Sequence, residues 1–262
     1  MKKKISLIQM QVAMGNPEAN YAHAEALVKE AAKDEPDIIV LPETINTGFF
    51  PEDLEEKADK DGRETKALFS GLAKELGVNI IAGSVAVLEE GRVYNRGYVF
   101  DREGNCISAY DKIHGFSPMG ETKRFTGGSH TVHFELDGIP ASMVICYDIR
   151  FPELIRTAAL EGIDLLFVPA AWPLVRKEHW IILNKARAIE NQMYLCAVNE
   201  CGKSGNTVFG GHSLLLSPWG EELCHLGEEE AVQTGTIDLD VIKDIRESIN
   251  VFRDRRPELY HI

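Results

Sequence analysis

"PDIIVLPET", residues 36–44, and "IDLLFVPAA", residues 163–171, are the two stretches on which the fold turns. In each, an aspartate leads into four apolar residues and a proline closes the run, the pattern of a short strand buried on both faces. The same order of elements precedes both. Ahead of the first, "KISLIQMQV" (4–12) alternates apolar and polar residues, and Asn16 and Pro17 then supply an N-cap and first-turn signal for a helix to about residue 34. Ahead of the second stand a strand at "IPASMVI" (139–145) and a helix over 151–162, with Phe151, Leu154, Ile155 and Ala158 on one face. Strand, helix, strand therefore occurs twice, an internal pseudo-duplication without close identity.

Between the halves, Leu68, Leu72 and Leu76 mark a helix over 63–77, and "NIIAGSV" (79–85) reads as a strand. "RVYNRGYVFD" (92–101) and "CISAYDK" (106–112) read as antiparallel strands joined by the turn "REGN", and 113–129 as a polar, glycine-rich loop. A helix over 177–192, strands "MYLCAVN" and "HSLLLSP", the turn "PWGEE" and a strand near 232–237 complete the pattern. The tail from about 242 begins as helix and ends in the charged "FRDRRPELYHI". No low-complexity linker divides the 262 residues, so a single α/β domain over 1–262 is expected.

The chain carries 28 basic and 41 acidic side chains, a formal charge of −13. A nucleic-acid or anionic membrane surface would have to be built against that field, so neither partner is expected. No apolar run approaches the length of a spanning helix, the basic start lacks a cleavage signal, and five cysteines are too sparse for a disulfide framework, which points to a reducing, cytoplasmic setting.

Ligands of open α/β sheets gather beyond the carboxyl ends of strands, and three reactive side chains stand there. Glu43 follows "DIIVLP", Lys112 follows "CISAYD" and Cys146 follows "ASMVI". Singly, each has an ordinary reading as turn acid, surface cation or buried filler. Together they are the parts needed to attack a carbonyl, hold an oxyanion and move protons, and the helix start after Cys146 favours a reactive thiol. Other chemistries fail on their spacing. "CGKS" (201–204) lacks the earlier glycine of a phosphate loop, Ala197 standing in its place. No G-x-S-x-G elbow occurs, and His114, His130, His133, His179 and His212 form no zinc-like pattern with the cysteines.

"LPETINTGF" around Glu43, "YDKIHGF" around Lys112 and "VICYDIRFPEL" around Cys146 resemble the three signature segments of the nitrilase superfamily of carbon–nitrogen hydrolases. The likeness extends through "ARAIENQMYL", "GGHSLLLSPWGE" and the tail. It implies a four-layer α-β-β-α sandwich, a Cys146–Glu43–Lys112 site, no cofactor or metal, and homodimers that pair through helices, with the tail from about 242 on the partner subunit. Glu121 in "GETKRFTGGS" matches the family's second glutamate.

Within the superfamily the chain is most similar to the omega-amidase branch, although its loop after Lys112 is shorter than in animal members. That branch implies hydrolysis of the terminal amide of 2-oxo dicarboxylic acid monoamides. An N-carbamoyl amino acid hydrolase, an amidase for deaminated glutathione and a non-catalytic binding protein stay open as alternatives. Glu43 would carry protons, while Lys112 and the Tyr147 backbone N–H would hold the oxyanion. Glu121 would orient Lys112 or the substrate nitrogen, Trp172 would wall the pocket, and Arg176 would meet the substrate's far carboxylate. Asp148 and Arg150 read as structural, the arginine paired with a buried acid.

Overall fold

The computed structural model describes residues 1–260. Its first half contains β1 (Lys2–Gln9), α1 (Pro17–Ala31), β2 (Ile38–Val40), α2 (Leu54–Lys57), β3 (Asp59–Lys60), α3 (Arg63–Leu76), β4 (Asn79–Glu89), β5 (Arg92–Phe100) and β6 (Cys106–Asp111). The second half contains β7 (His133–Leu136), β8 (Ile139–Met143), α4 (Pro152–Leu160), β9 (Leu165–Ala170), α5 (Lys177–Asn191) and β10 (Tyr194–Asn199). It continues with β11 (Cys201–Ser204), β12 (Thr207–Gly210), β13 (Leu214–Leu216), β14 (Glu222–His225), β15 (Ala231–Asp238) and α6 (Asp240–Ser248).

Two sheets result. One runs β15-β1-β2-β4-β5-β6, with β3 paired to β4, and the other runs β14-β13-β10-β9-β8-β7. β1, β2 and β4 are mutually parallel, as are β8, β9 and β10, and antiparallel strands flank each set. The two opening stretches therefore take equivalent seats, β2 and β9 each being the middle of three parallel strands.

Strand alternation sorts the side chains into layers. On β2, Ile38 and Val40 enter the cluster that fills the space between the sheets with Ile139, Leu165 and Phe167. Ile39 and the following Leu41 turn the other way, onto Val28 of α1 and Phe69 of α3. Helices α4 and α5 cover the outer face of the second sheet through Ile155, Ala158, Trp180 and Ala188, completing the α-β-β-α sandwich. Each fully buried aliphatic side chain in these layers contributes roughly 1.5–3 kcal/mol.

Helix ends follow their local chemistry. The Asn16 side chain accepts from Ala19 N at 3.3 Å, Pro17 opens α1, and Gly77 ends α3 at φ +64°. The segment 113–129 holds only two short 3₁₀ turns, and "CGKS" is a strand of the β11–β12 hairpin. The start of the tail, α6, packs on its own chain, with Ile242 and Ile245 buried and Arg246 Nη1 2.9 Å from Asp164. The last two residues of the expected tail contact lie outside the described residues. No helix among the described residues is long and apolar enough to cross a membrane.

Candidate active site

Glu43, Lys112 and Cys146 lie just past the carboxyl ends of β2, β6 and β8, and the fold brings them together. All are buried, at 0%, 3% and 5% exposure. Lys112 Nζ is 2.8 Å from Glu43 Oε1 and 2.8 Å from both carboxylate oxygens of Glu121. Glu121 also accepts the Phe116 N–H at 2.6 Å, which ties the 113–128 loop to the centre. Glu43 accepts Ala171 N–H on Oε2 at 2.7 Å and Asn95 Nδ2 on Oε1 at 2.7 Å; Asn95 also reaches Glu121 at 3.3 Å.

The electrostatics follow from two carboxylates around one ammonium in a buried site. Burial works to strip Lys112 of its proton, but Glu43 and Glu121 outweigh it and hold the ammonium above its ordinary range. Burial, aided by the negative charge of Glu43, lifts the Glu121 carboxyl against the pull of Lys112. The Cys146 thiol is pushed well up, first by burial and then by Glu43, with Lys112 opposing. This environment disfavours the thiolate, so a base positioned to take the thiol proton would assist attack.

Cys146 opens a 3₁₀ turn over Cys146–Arg150 with φ at +50°. Asp148 secures that turn: its carboxylate accepts from Ile145 N at 3.0 Å, His114 N at 2.9 Å and Tyr110 Oη at 2.8 Å. Arg150 departs from the expected pairing with a buried acid, since no carboxylate pairs with it among the described residues. Its guanidinium lies 4.6 Å from the Trp172 ring and 3.3 Å from His179 Nδ1, and it lines the pocket with Cys146.

That pocket, about 300 Å³ to its open mouth, is walled by Phe49, Phe116, Tyr147 and Trp172 and is also lined by Arg150 and Arg176. Trp172 also packs 5.6 Å from Trp180 and donates Nε1–H to Arg176 O at 2.8 Å, so it fixes the turn that carries Arg176. Arg176 lies 5.0 Å over the Phe116 ring. Neither arginine has a carboxylate partner among the described residues.

Sequence reading missed Asn95 and Phe49, and it read Arg150 as structural. Asn95 carried a signal: it occupies an inward position of the alternating strand "RVYNRGYVF", beside buried Val93, where an amide needs polar partners.

Two pseudo-symmetric α/β halves, with an acid–lysine–acid cluster beside the Cys146 turn, fit a hydrolase of carbon–nitrogen bonds. The chain belongs to the carbon-nitrogen hydrolase family, whose model matches residues 4–247. It is 44% identical over 260 residues to a 2-oxoglutaramate amidase of Bacillus subtilis (strain 168), covering 99% of this chain and 100% of that protein. It is 34% identical over 270 residues to the omega-amidase NIT2 of Xenopus tropicalis, covering 100% and 98%. The crystal structure of XC1258 from Xanthomonas campestris, a CN-hydrolase superfamily protein with an arsenic adduct in its active site, superposes with a TM-score of 0.92 at 30% identity, covering 100% and 99% of the two chains.

Proposed function

We propose that this enzyme hydrolyses the terminal amide of small 2-oxo dicarboxylic acid monoamides, 2-oxoglutaramate foremost, through a Cys146 thioester. The observation that carries this reading is the pocket, lined by Cys146 together with two guanidinium groups, Arg150 and Arg176, that have no carboxylate partner among the described residues, in a protein of charge −13. An anionic substrate end is unwelcome in such a field unless local cations receive it. The likeness to the Bacillus amidase supports the same substrate.

In this mechanism Glu43 takes the thiol proton as sulfur attacks the amide carbon, and the oxyanion is held by Lys112 and the Tyr147 N–H. Glu43 then protonates the nitrogen, the C–N bond breaks, ammonia leaves and a thioester remains. Water attacks the thioester as Glu43 takes its proton, the C–S bond breaks, and Glu43 returns the proton to sulfur as the dicarboxylic acid product departs. Glu121 holds Lys112 against Glu43. Arg176, joined by Arg150, binds the distal carboxylate over the wall formed by Trp172. A reducing, cytoplasmic setting suits a thiol nucleophile.

The enzyme acts as a homodimer in this reading. Exposed Ile182 and Ile189 on α5 adjoin exposed Trp219 and Leu223: Ile189 reaches Gly220, and Lys185 pairs with Glu222 at 2.6 Å. Such a group of exposed apolar side chains suits a self-complementary interface.

Ammonia release from 2-oxo acid monoamides, carbamoyl amino acids and nitriles tests the substrate class directly. Arg176→Ala is expected to lower kcat/KM for 2-oxoglutaramate by about 2–4 kcal/mol while barely changing a neutral short amide. Equal loss on both would assign Arg176 to the scaffold instead.

A further inference from the structure

Glu200 directly follows β10 and is fully buried at 0% exposure, yet it takes no part in the chemistry above. Its backbone N–H and that of Glu43 donate to the same oxygen, Ala170 O, at 2.9 and 3.3 Å. The two glutamates thus meet at the end of β9, one from each half of the fold. Glu200 Oε1 lies 3.4 Å from Thr44 Oγ1, and Oε2 has no hydrogen-bond partner among the described residues.

Thr44, next to Glu43, is itself held in the left-handed region at φ +45°, with its N–H donating to Ser84 Oγ at 3.0 Å. The ionisable groups facing Glu200 are Glu43 and the adjacent Cys201. No lysine, arginine or histidine pairs with it among the described residues. An ionised carboxylate here would be buried, unpaired and close to a second carboxylate, the arrangement a protein avoids most strongly. The neutral acid has one O–H to donate and the Thr44 hydroxyl within reach.

We propose that Glu200 is a protonated carboxylic acid that positions the Thr44–Glu43 turn from behind. It is a positioning residue: it touches no reacting atom and acts through Thr44. Burial first, then the charge of Glu43, pushes its carboxyl well above the ordinary range, against the Thr44 hydrogen bond, in keeping with this geometry. The proposal deepens the reading of Glu43 as the proton carrier, which Glu43→Gln tests separately by abolishing turnover.

The experiment compares full-length wild type with Glu200→Gln, Glu200→Leu and Thr44→Val. The infrared difference spectrum between wild type and Glu200→Gln at neutral pH is expected to contain the carbonyl stretch of a protonated carboxylic acid, independent of any catalytic role. Glu200→Gln, which preserves shape and a donor, should keep kcat within about threefold and leave the acid limb of the kcat/KM profile in place. Glu200→Leu and Thr44→Val should each lower kcat about tenfold or more with KM little changed. A missing carbonyl band, or an acid limb moved to lower pH in Glu200→Gln, would show an ionised Glu200 and overturn the proposal. Wild-type kcat in Thr44→Val would overturn the positioning role even if Glu200→Leu does not fold.

Discussion

At Cys146 a non-glycine residue occupies the left-handed region, φ +50°, which costs about 1–2 kcal/mol. The Asp148 hydrogen bonds within the turn offset that cost and aim the side chain into the pocket. Cys146→Ala is expected to abolish turnover, while Cys106→Ala, Cys196→Ala and Cys224→Ala remain active. Intact-mass spectra during turnover should find the acyl adduct on Cys146, and activity in Cys146→Ala would sink the thioester route. Asn95→Ala removes the amide that restrains Glu43 and Glu121. Hydrogen bonds to charged groups are worth about 1.5–3 kcal/mol, so kcat should fall about tenfold to a hundredfold with KM near wild type. An unchanged kcat would mean that Lys112 alone holds the two acids.

Among the elements, β4 carries a feature with direct consequences for Glu43. Its register shifts between Ile81 and Ser84, and Gly83 sits there at φ +63°; a Cβ on Gly83 would stand 1.8 Å from Pro42 O. Backbone cannot yield to that overlap without moving the residue after Pro42, which is Glu43. Gly83→Ala should therefore lower kcat about tenfold or more and destabilise by about 1–3 kcal/mol, read by steady-state kinetics and urea melts. An isolated glycine inside a strand was the legible sign of a bulge or close backbone approach, while its neighbour, the Pro42 carbonyl, was not legible.

The Asp137–Gly138 turn joins β7 to β8 and also clasps the first sheet. Asp137 accepts from Arg102 Nε at 3.0 Å, Asn79 Nδ2 at 3.1 Å and Lys3 Nζ at 3.2 Å. Burial raises its carboxyl, but Arg102 and Lys3 outweigh that and hold it below the usual range. A depressed folded value adds stability above the unfolded value, and that stability is lost as pH falls through the folded one. Asp137→Asn should cost about 1 kcal/mol at neutral pH after allowance for solvent screening, and its urea midpoint should converge on wild type below about pH 4. A gap that persists in acid would assign the effect to packing.

For the whole molecule, the proposed α5-centred interface makes the oligomer testable. Ile182→Asp with Ile189→Asp should convert the sedimenting species from dimer to monomer, because unpaired carboxylates would be buried in an apolar contact. An unchanged dimer would move the interface elsewhere on the surface.

What the sequence by itself determined were the local facts: two apolar runs closed by proline, the helices and caps between them, and an acid, a lysine and a thiol beyond three strand ends. Periodicity and turn chemistry act over a few residues, so they can be read along the chain. The tertiary structure alone decided which faces meet. Glu43 is oriented by Ala171, 128 residues away, and by Asn95, 52 residues away. Arg150, expected to pair with a buried acid, instead lines the pocket against Trp172 and His179, with no carboxylate partner among the described residues. Burial makes each of these outcomes depend on every hydrogen-bonding group nearby, and only the packing of the two sheets brings those groups into one place.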